Sequence, residues 1–382
     1  MKRIYLDNAA TSWPKPEAVY AAVDHFNRHI GGNPGRGTTG VALASTGVVL
    51  ETRELLAQLF NIDDPLRIAF TLNITEALNL ALKGILKPGD HLIISSMEHN
   101  ALVRPAFSLA EQGLEITVIP CSSEGLLDTN RLVSAIKKNT RLVGLLHASN
   151  VTGTIQPVAE VGQICRERGI LFLVDSAQSA GVLPIDVQCQ AIDILTFTGH
   201  KGLYGPQGTG GIYVRPGVAI TPLKEGGTGS RSQDTKQPQF MPDCLESGTL
   251  NTPGIAGLGA GVRFVLEQGI AVIGRHEQKL MQFLWDNLAG VAKVKRYGIP
   301  DRKGRTAILS FTVDGMDSAQ VSLLLEKEFG IVTRGGLHCT PLAHQTIGTL
   351  QQGTCRLSPG FFNTEQEMEA ALTAIATIAQ RV

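Results

Sequence analysis

The stretch LFLVDSAQSAG, residues 171–181, opens as an unbroken apolar run and closes that run on an aspartate, Asp175. An apolar segment without alternation reads as a strand buried on both faces, the kind that builds mostly parallel sheets. A carboxylate at the end of such a strand is costly to hold unpaired. The next run, DILTFTGHKGLYGP (193–206), repeats the pattern: a core strand, then Thr198, His200 and Lys201, then clustered glycines.

Working outward, the same kind of run recurs as LRIAFTLN (66–73), HLIISSME (91–98), EITVIP (115–120), RLVGLLHASN (141–150) and GGIYVR (210–215). Between them lie segments with helical spacing, TEALNLALKGIL (75–86), NALVRPAFSLAEQG (100–113) and VAEVGQICRERG (158–169). Strands alternating with helices predict an α/β fold with a mostly parallel sheet flanked by helices. Ligands of such sheets sit beyond the carboxyl ends of the strands, which makes the polar strand ends the candidates for chemistry. The glycine-rich loop NPGRGTTG (33–40) precedes this block, followed by a helical stretch over about 41–60. A polar segment with almost no periodicity (225–254) follows it, a length that marks function or an interface. Helices then alternate with short strands such as AILSFTV (307–313). We read a large α/β domain over 15–255 and a small α+β domain from 1–14 and 256–382.

Composition narrows the options. Of 382 residues 43% are apolar and 18% charged, an ordinary globular balance. Lys+Arg and Asp+Glu are both 34, so no basic field exists for nucleic acid or an acidic membrane surface. No signal peptide or membrane-spanning run is read. The six cysteines form no CxxC pair, which speaks against a zinc site or disulfide framework and for a reducing, cytoplasmic setting.

Several strand ends carry reactive groups. TLNITEALN (71–79) suits either a helix cap by Thr75 or a phosphate seat on the helix N-terminus at Ile74 and Thr75. His99 in MEHNA and Asn150 in HASNVTGT each stand just past a strand, where a surface or turn role competes with a binding one. Asp175 and Lys201, 26 positions apart, are more specific. A lysine that forms a Schiff base and a buried carboxylate facing a pyridine nitrogen are what pyridoxal phosphate requires. Thr198 and His200 are then placed for the phosphate, and Gly202 and Gly205 for close approach of backbone to the ligand.

The order NAAT, TEA, MEHNA, SNVTGT, VDSAQ, TGHK, ESGTLNTPG, RGGLHC and CRLS, running from about residue 4 to the C-terminus, resembles the cysteine desulfurase family. These are class V, fold-type I pyridoxal phosphate enzymes. The resemblance implies that Lys201 bonds the cofactor, Asp175 partners the pyridine nitrogen, Gln178 donates to the ring oxygen and His99 stacks on the ring. It places Thr75, Thr198 and His200 on the phosphate, with Thr249 reaching it from the second subunit of a homodimer. Asn150, Arg356 and Arg334 are implied for the substrate carboxylate. The family's TTE reads ITE here, so the contact at Ile74 falls to its backbone N–H.

RGGLHCTPLAH (334–344) bears on the reaction. The family places its sulfur-accepting cysteine at Cys339, where flanking His338 and Arg334 favour a reactive thiol. Cys121, Cys165, Cys189 and Cys355 are read as packed and inert. The implied reaction converts L-cysteine to L-alanine with a persulfide on Cys339, which passes to an acceptor protein or small thiol, iron–sulfur cluster assembly being one use. L-selenocysteine is the alternative substrate, and a class V aminotransferase or cysteine C–S lyase the alternative activity.

Overall fold

The computed structural model describes residues 3–35 and 37–382; Met1, Lys2 and Arg36 of the glycine-rich loop lie outside them. The chain enters through a short strand, β1 (Ile4–Tyr5), and two helices, Glu17–His25 and Gly40–Phe60. It then lays down β2 (Ile68–Thr71), β3 (His91–Ser95), β4 (Glu115–Ile119), β5 (Thr140–Leu146), β6 (Leu171–Asp175), β7 (Ile194–Thr198) and β8 (Gly210–Val214). Each is one of the seven runs quoted above. They form one sheet in the order β2-β8-β7-β6-β5-β3-β4. The pairs from β7 to β4 are parallel, and β8 runs antiparallel to both β7 and β2.

Alternate residues of each strand enter two apolar layers. Phe172, Val174, Leu195 and Phe197 face the helices Gly40–Phe60, Val158–Glu167 and Thr252–Gln268. Leu173, Ile194, Ile212 and Leu92 face the helices Ile74–Ile85 and Asn100–Ala110. Burial on both faces explains why these strands show no period-2 alternation. Phe172 is fully buried, and its truncation to alanine is worth about 3–5 kcal/mol.

A second lobe holds β9 (Val294–Tyr297), β10 (Leu309–Val313), β11 (Ile331–Val332), β12 (Arg334–Gly336) and β13 (Thr354–Leu357). Four of them make an antiparallel sheet in the order β12-β13-β10-β9. Helices Ile270–Leu288, Ser318–Phe329 and Glu365–Ala379 pack on it around Phe311, Leu325 and Ile375. The boundary read at 255/256 falls inside the helix Thr252–Gln268, whose Leu258, Val262 and Val265 join the large-sheet core. Its glycines let it press close: a β-carbon on Gly261 would meet Leu203 O at 2.3 Å. By packing, this helix belongs to the large lobe.

The two lobes are laced by the N-terminal segment. β1 pairs in parallel with β11, Ser358 N–H donates to Leu6 O at 2.8 Å, and Ser12 N–H donates to His200 O at 2.9 Å. The aperiodic 225–251 segment contains no helix or strand. Among the described residues no single helix is long and apolar enough to cross a membrane.

Candidate active site

The strand ends converge where the lobes meet. Register sets Asp175 of β6 between Leu146 of β5 and Thr196 of β7. Asp175 is buried, and Ala177 N–H donates to its Oδ1 at 2.8 Å. Burial pushes its carboxyl up, opposed by that N–H and by the charge of Lys201. Burial also brings the Lys201 ammonium down to about 8, with Asp175 opposing and Arg356 and Arg334 adding to the fall. Lys201 is held from behind by its neighbour: His200 O accepts from Ser12 N–H and from Thr11 Oγ1 at 3.1 Å.

His99 begins the helix Asn100–Ala110 as its cap, and Ala101 N–H donates to His99 Nδ1 at 3.0 Å. A ring nitrogen that accepts carries no proton, so the imidazole proton sits on Nε2. Burial and the nearby Lys201, Arg334, Arg356 and Arg104 push this imidazole down to about 4. The ring is therefore neutral at physiological pH. Gln178 stands by Lys201 in one cavity with Asn8 and Ala9, and its Nε2 donates to Ala9 O at 3.0 Å.

Buried polar atoms gather at the end of β7. Thr198 Oγ1 and His200 Nδ1 are buried with no hydrogen-bond partner among the described residues. Thr198 pairs with Gly210, which pairs with Thr71, just before the helix that starts at Ile74. A β-carbon on Gly210 would meet Asn73 at 2.8 Å, so the helix N-terminus abuts the strand end. That helix is capped by Asn73, whose Oδ1 accepts from Glu76 N–H at 3.0 Å, and not by Thr75. Asparagine ranks above threonine at this position, and the Thr75 hydroxyl is left exposed at the rim. Gly202, which lines the Lys201 cavity, and Gly205 both sit tight against their own chain. A β-carbon would meet Ala180 O at 2.5 Å on Gly202, and Leu258 at 2.9 Å on Gly205.

The small lobe closes the site with two arginines paired across β12 and β13, Arg334 and Arg356. Arg356 is almost wholly buried, with Nη2 2.7 Å from Asp7 Oδ1, Nη1 donating to Asn150 O at 3.0 Å, and Nε without a partner among the described residues. Arg334 Nη2 lies 3.7 Å from Cys339 Sγ and donates to it. Cys339 is exposed, and both it (φ +61°) and His338 (φ +50°) hold left-handed backbone, at about 1–2 kcal/mol each. Asn100 N–H donates to Cys339 O at 3.0 Å, and Asn150 Nδ2 to His338 O at 2.9 Å. Asn150, read as a carboxylate ligand, spends one of its two N–H groups on the cysteine loop.

Thr249 is exposed and shares a cleft with Leu72 and Glu76, outside the Lys201 cavity of its own chain. Among the other cysteines, Cys165 and Cys355 are buried and Cys121 partly so, whereas Cys189 is exposed. It sits in a turn where its N–H donates to Asp186 Oδ1 at 2.8 Å, which lifts it out of the core.

Three residues of the site escaped the sequence reading. Asp7 follows β1 and meets Arg356 only through the fold. Lys15, brought down to about 8 by burial, donates to Ser12 Oγ at 3.0 Å. Glu98, beside His99, is fully buried; Ser95 Oγ donates to its Oε1 at 2.5 Å and Leu146 N–H to its Oε2 at 3.1 Å. Burial pushes Glu98 up to about 8. Its placement directly before a candidate histidine was the available signal.

The family model for aminotransferase class-V matches residues 4–371. A probable cysteine desulfurase of Methanothermobacter thermautotrophicus is 34% identical over 98% of this chain and 94% of its own length. A cysteine desulfurase of Escherichia coli is likewise 34% identical, over 98% and 93%. Among solved structures, the apo cysteine desulfurase from Thermococcus onnurineus superposes with a TM-score of 0.94 at 32% identity, covering 100% of this chain and 96% of that one. The cysteine desulfurase CsdA from Escherichia coli gives 0.89 at 31%, covering 99% and 95%. The chain belongs to the aminotransferase class-V family, in its cysteine desulfurase branch.

Proposed function

We propose that the protein is a homodimeric, pyridoxal phosphate-dependent cysteine desulfurase that takes the sulfur of L-cysteine onto Cys339. The observation that carries this reading is the exposed Cys339 sulfur beside Arg334, on a loop bonded both to Asn150 and to the helix that His99 begins. An aminotransferase or an eliminating lyase has no use for a thiol held there.

The residues fit the cofactor. Two buried polar atoms without partners, Thr198 Oγ1 and His200 Nδ1, lie beside a helix N-terminus, which suits a phosphate. The Ile74 N–H and Thr75 hydroxyl complete that seat. Thr249, exposed on its own chain, is assigned to the phosphate of the second subunit. A buried carboxyl such as Asp175 gains from a cationic ring nitrogen opposite it. When bound, the cofactor supplies an aldehyde that captures the substrate amine and a ring that accepts electrons from Cα.

The chain does the rest. Lys201, brought to about 8, has a free-base share near neutrality and takes the Cα proton. His99 presents an uncharged ring with its proton on Nε2. Gln178 keeps one amide N–H for the ring oxygen. Arg356 offers its free Nε to the substrate carboxylate, with Asn150 alongside. Arg334 sets a positive charge next to the Cys339 sulfur and the same carboxylate. Cys339 Sγ attacks the substrate sulfur; an S–S bond forms, the Cβ–S bond breaks, and its electron pair stays on Cβ. A proton then completes the methyl group, and Lys201 gives the proton it took back to Cα, which yields L-alanine. No outside oxidant or reductant is needed, and the persulfide passes to an acceptor thiol.

The test supplies L-cysteine, L-selenocysteine and L-alanine separately and measures alanine, sulfide and selenide. Cys339→Ala should nearly abolish persulfide and alanine formation from L-cysteine, while Cys355→Ala stays close to wild type. Undiminished alanine release by Cys339→Ala would overturn the reading. Release from selenocysteine alone would make the protein a selenocysteine lyase.

A further inference from the structure

Two consecutive residues without glycine's freedom, His338 and Cys339, hold left-handed backbone at φ +50° and +61°. Such a pair persists only where the surroundings over-determine it. The loop has glycines at 335 and 336, so the strain falls on the sulfur-bearing residue although glycine stands close by.

One buried hydroxyl stands at this turn. Thr340 has no solvent exposure. Its Oγ1 lies 2.9 Å from Asn150 Oδ1 and 3.1 Å from His338 O, within reach of its single hydrogen. Asn150 Nδ2 donates to the same His338 O at 2.9 Å, which closes a ring of three polar groups around the carbonyl that precedes Cys339. Thr340 N–H donates to Leu337 O at 2.9 Å, pulling the loop tight across the cysteine. The other side of Asn150 is engaged too, its carbonyl accepting from Arg356 Nη1 at 3.0 Å. One asparagine therefore touches both the strained cysteine turn and the arginine assigned to the substrate carboxylate.

We propose that Thr340, acting through Asn150, is a positioning residue that locks Cys339 in its left-handed turn and ties the place of its sulfur to the carboxylate-binding Arg356. This deepens the desulfurase reading and rests on it for the kinetic consequence, while the lock itself stands on the loop alone. Thr340→Val keeps the shape and removes the hydroxyl; Thr340→Ser restores the hydroxyl.

The experiment has two arms. In protein without substrate, amide hydrogen exchange is followed at Thr340 and at Asn100, whose N–H donates to Cys339 O. Thr340→Val should speed both by about ten-fold, the scale of one lost buried hydrogen bond, leave the core amides of 171–175 unchanged, and be reversed in Thr340→Ser. In the kinetic arm, Thr340→Val should lower kcat for alanine release from L-cysteine by about ten-fold with KM little changed. Deuterium uptake at Cα of L-alanine, which needs Lys201 and not Cys339, should keep its wild-type rate. Unchanged exchange at Thr340 and Asn100, or exchange quickened equally in the core, would overturn the lock. A raised KM with normal kcat would overturn the positioning role. Should the wild type release no alanine from L-cysteine, the desulfurase reading fails, and the exchange arm still decides the lock.

Discussion

Replacing Asp7 by asparagine removes the counter-charge of Arg356 and keeps the shape. The pair is 2.7 Å apart, with the arginine side chain 1% exposed and the aspartate 16%. After the change, the guanidinium retains Asn150 O, at 3.0 Å, and an uncharged amide oxygen, with Nε unpartnered as before. Removing one partner of a buried pair costs about 3–5 kcal/mol, because the other charge stays buried. Asparagine keeps an acceptor and Asp7 is partly wetted, which brings the figure to about 2–3 kcal/mol. With a urea slope of about 3 kcal/mol per molar, the midpoint should fall by roughly 0.7–1 M. Salt should change this little, since a buried pair is poorly screened. The KM for L-cysteine should rise more than kcat falls, since the loosened group is the one assigned to the carboxylate. The assay is urea unfolding of the cofactor-free protein. Its control is Glu365→Gln in the exposed pair with Lys279, which should leave the midpoint in place. An unshifted midpoint in Asp7→Asn would refute the dependence of Arg356 on Asp7.

Glu98, raised by burial from 4.5 to about 8, adds stability that is complete below 4.5 and lost as pH climbs toward 8. Urea midpoints compared at pH 6 and 9 should therefore fall further for wild type than for Glu98→Gln; parallel losses would show that Glu98 ionises freely. Thr198→Val removes a buried hydroxyl without a partner, so the cofactor-free protein should be as stable as wild type or more so, while affinity for pyridoxal phosphate falls roughly ten- to hundred-fold. Absorbance titration measures that affinity, and an unchanged value would exclude Thr198 from the phosphate seat.

The large sheet was legible because strands buried on both faces write themselves as unbroken apolar runs, and Asp175 and Lys201 stood out as the polar ends of two of them. The helix Thr252–Gln268 was harder to place. Its close approach to the large lobe depends on glycines that a hydrophobic pattern does not register, such as Gly257, where a β-carbon would meet Pro206 and Val23 at 2.7 Å. Asp7 was invisible for another reason, since its partner lies 349 positions away and nothing local marks the pairing. Thr340 carries no signal of its own in the sequence; only the fold buries its hydroxyl against Asn150. Sequence exposes what repeats along the chain or offends its local pattern; pairings between remote segments appear only when the chain is folded.

The lacing of the N-terminal segment has a consequence for how the protein is made. Tyr5 pairs with Val332, and Asp7 waits for Arg356. At about 5–20 residues per second, a ribosome finishes Arg356 roughly 20–70 s after Asp7. Over that interval the growing chain can close the large sheet around Lys201, but the wall bearing both arginines does not yet exist. Residues 5–7 are made long before their partners and are among the last to be seated, and a chain cut short before Arg356 carries the lysine with no closed chamber around it.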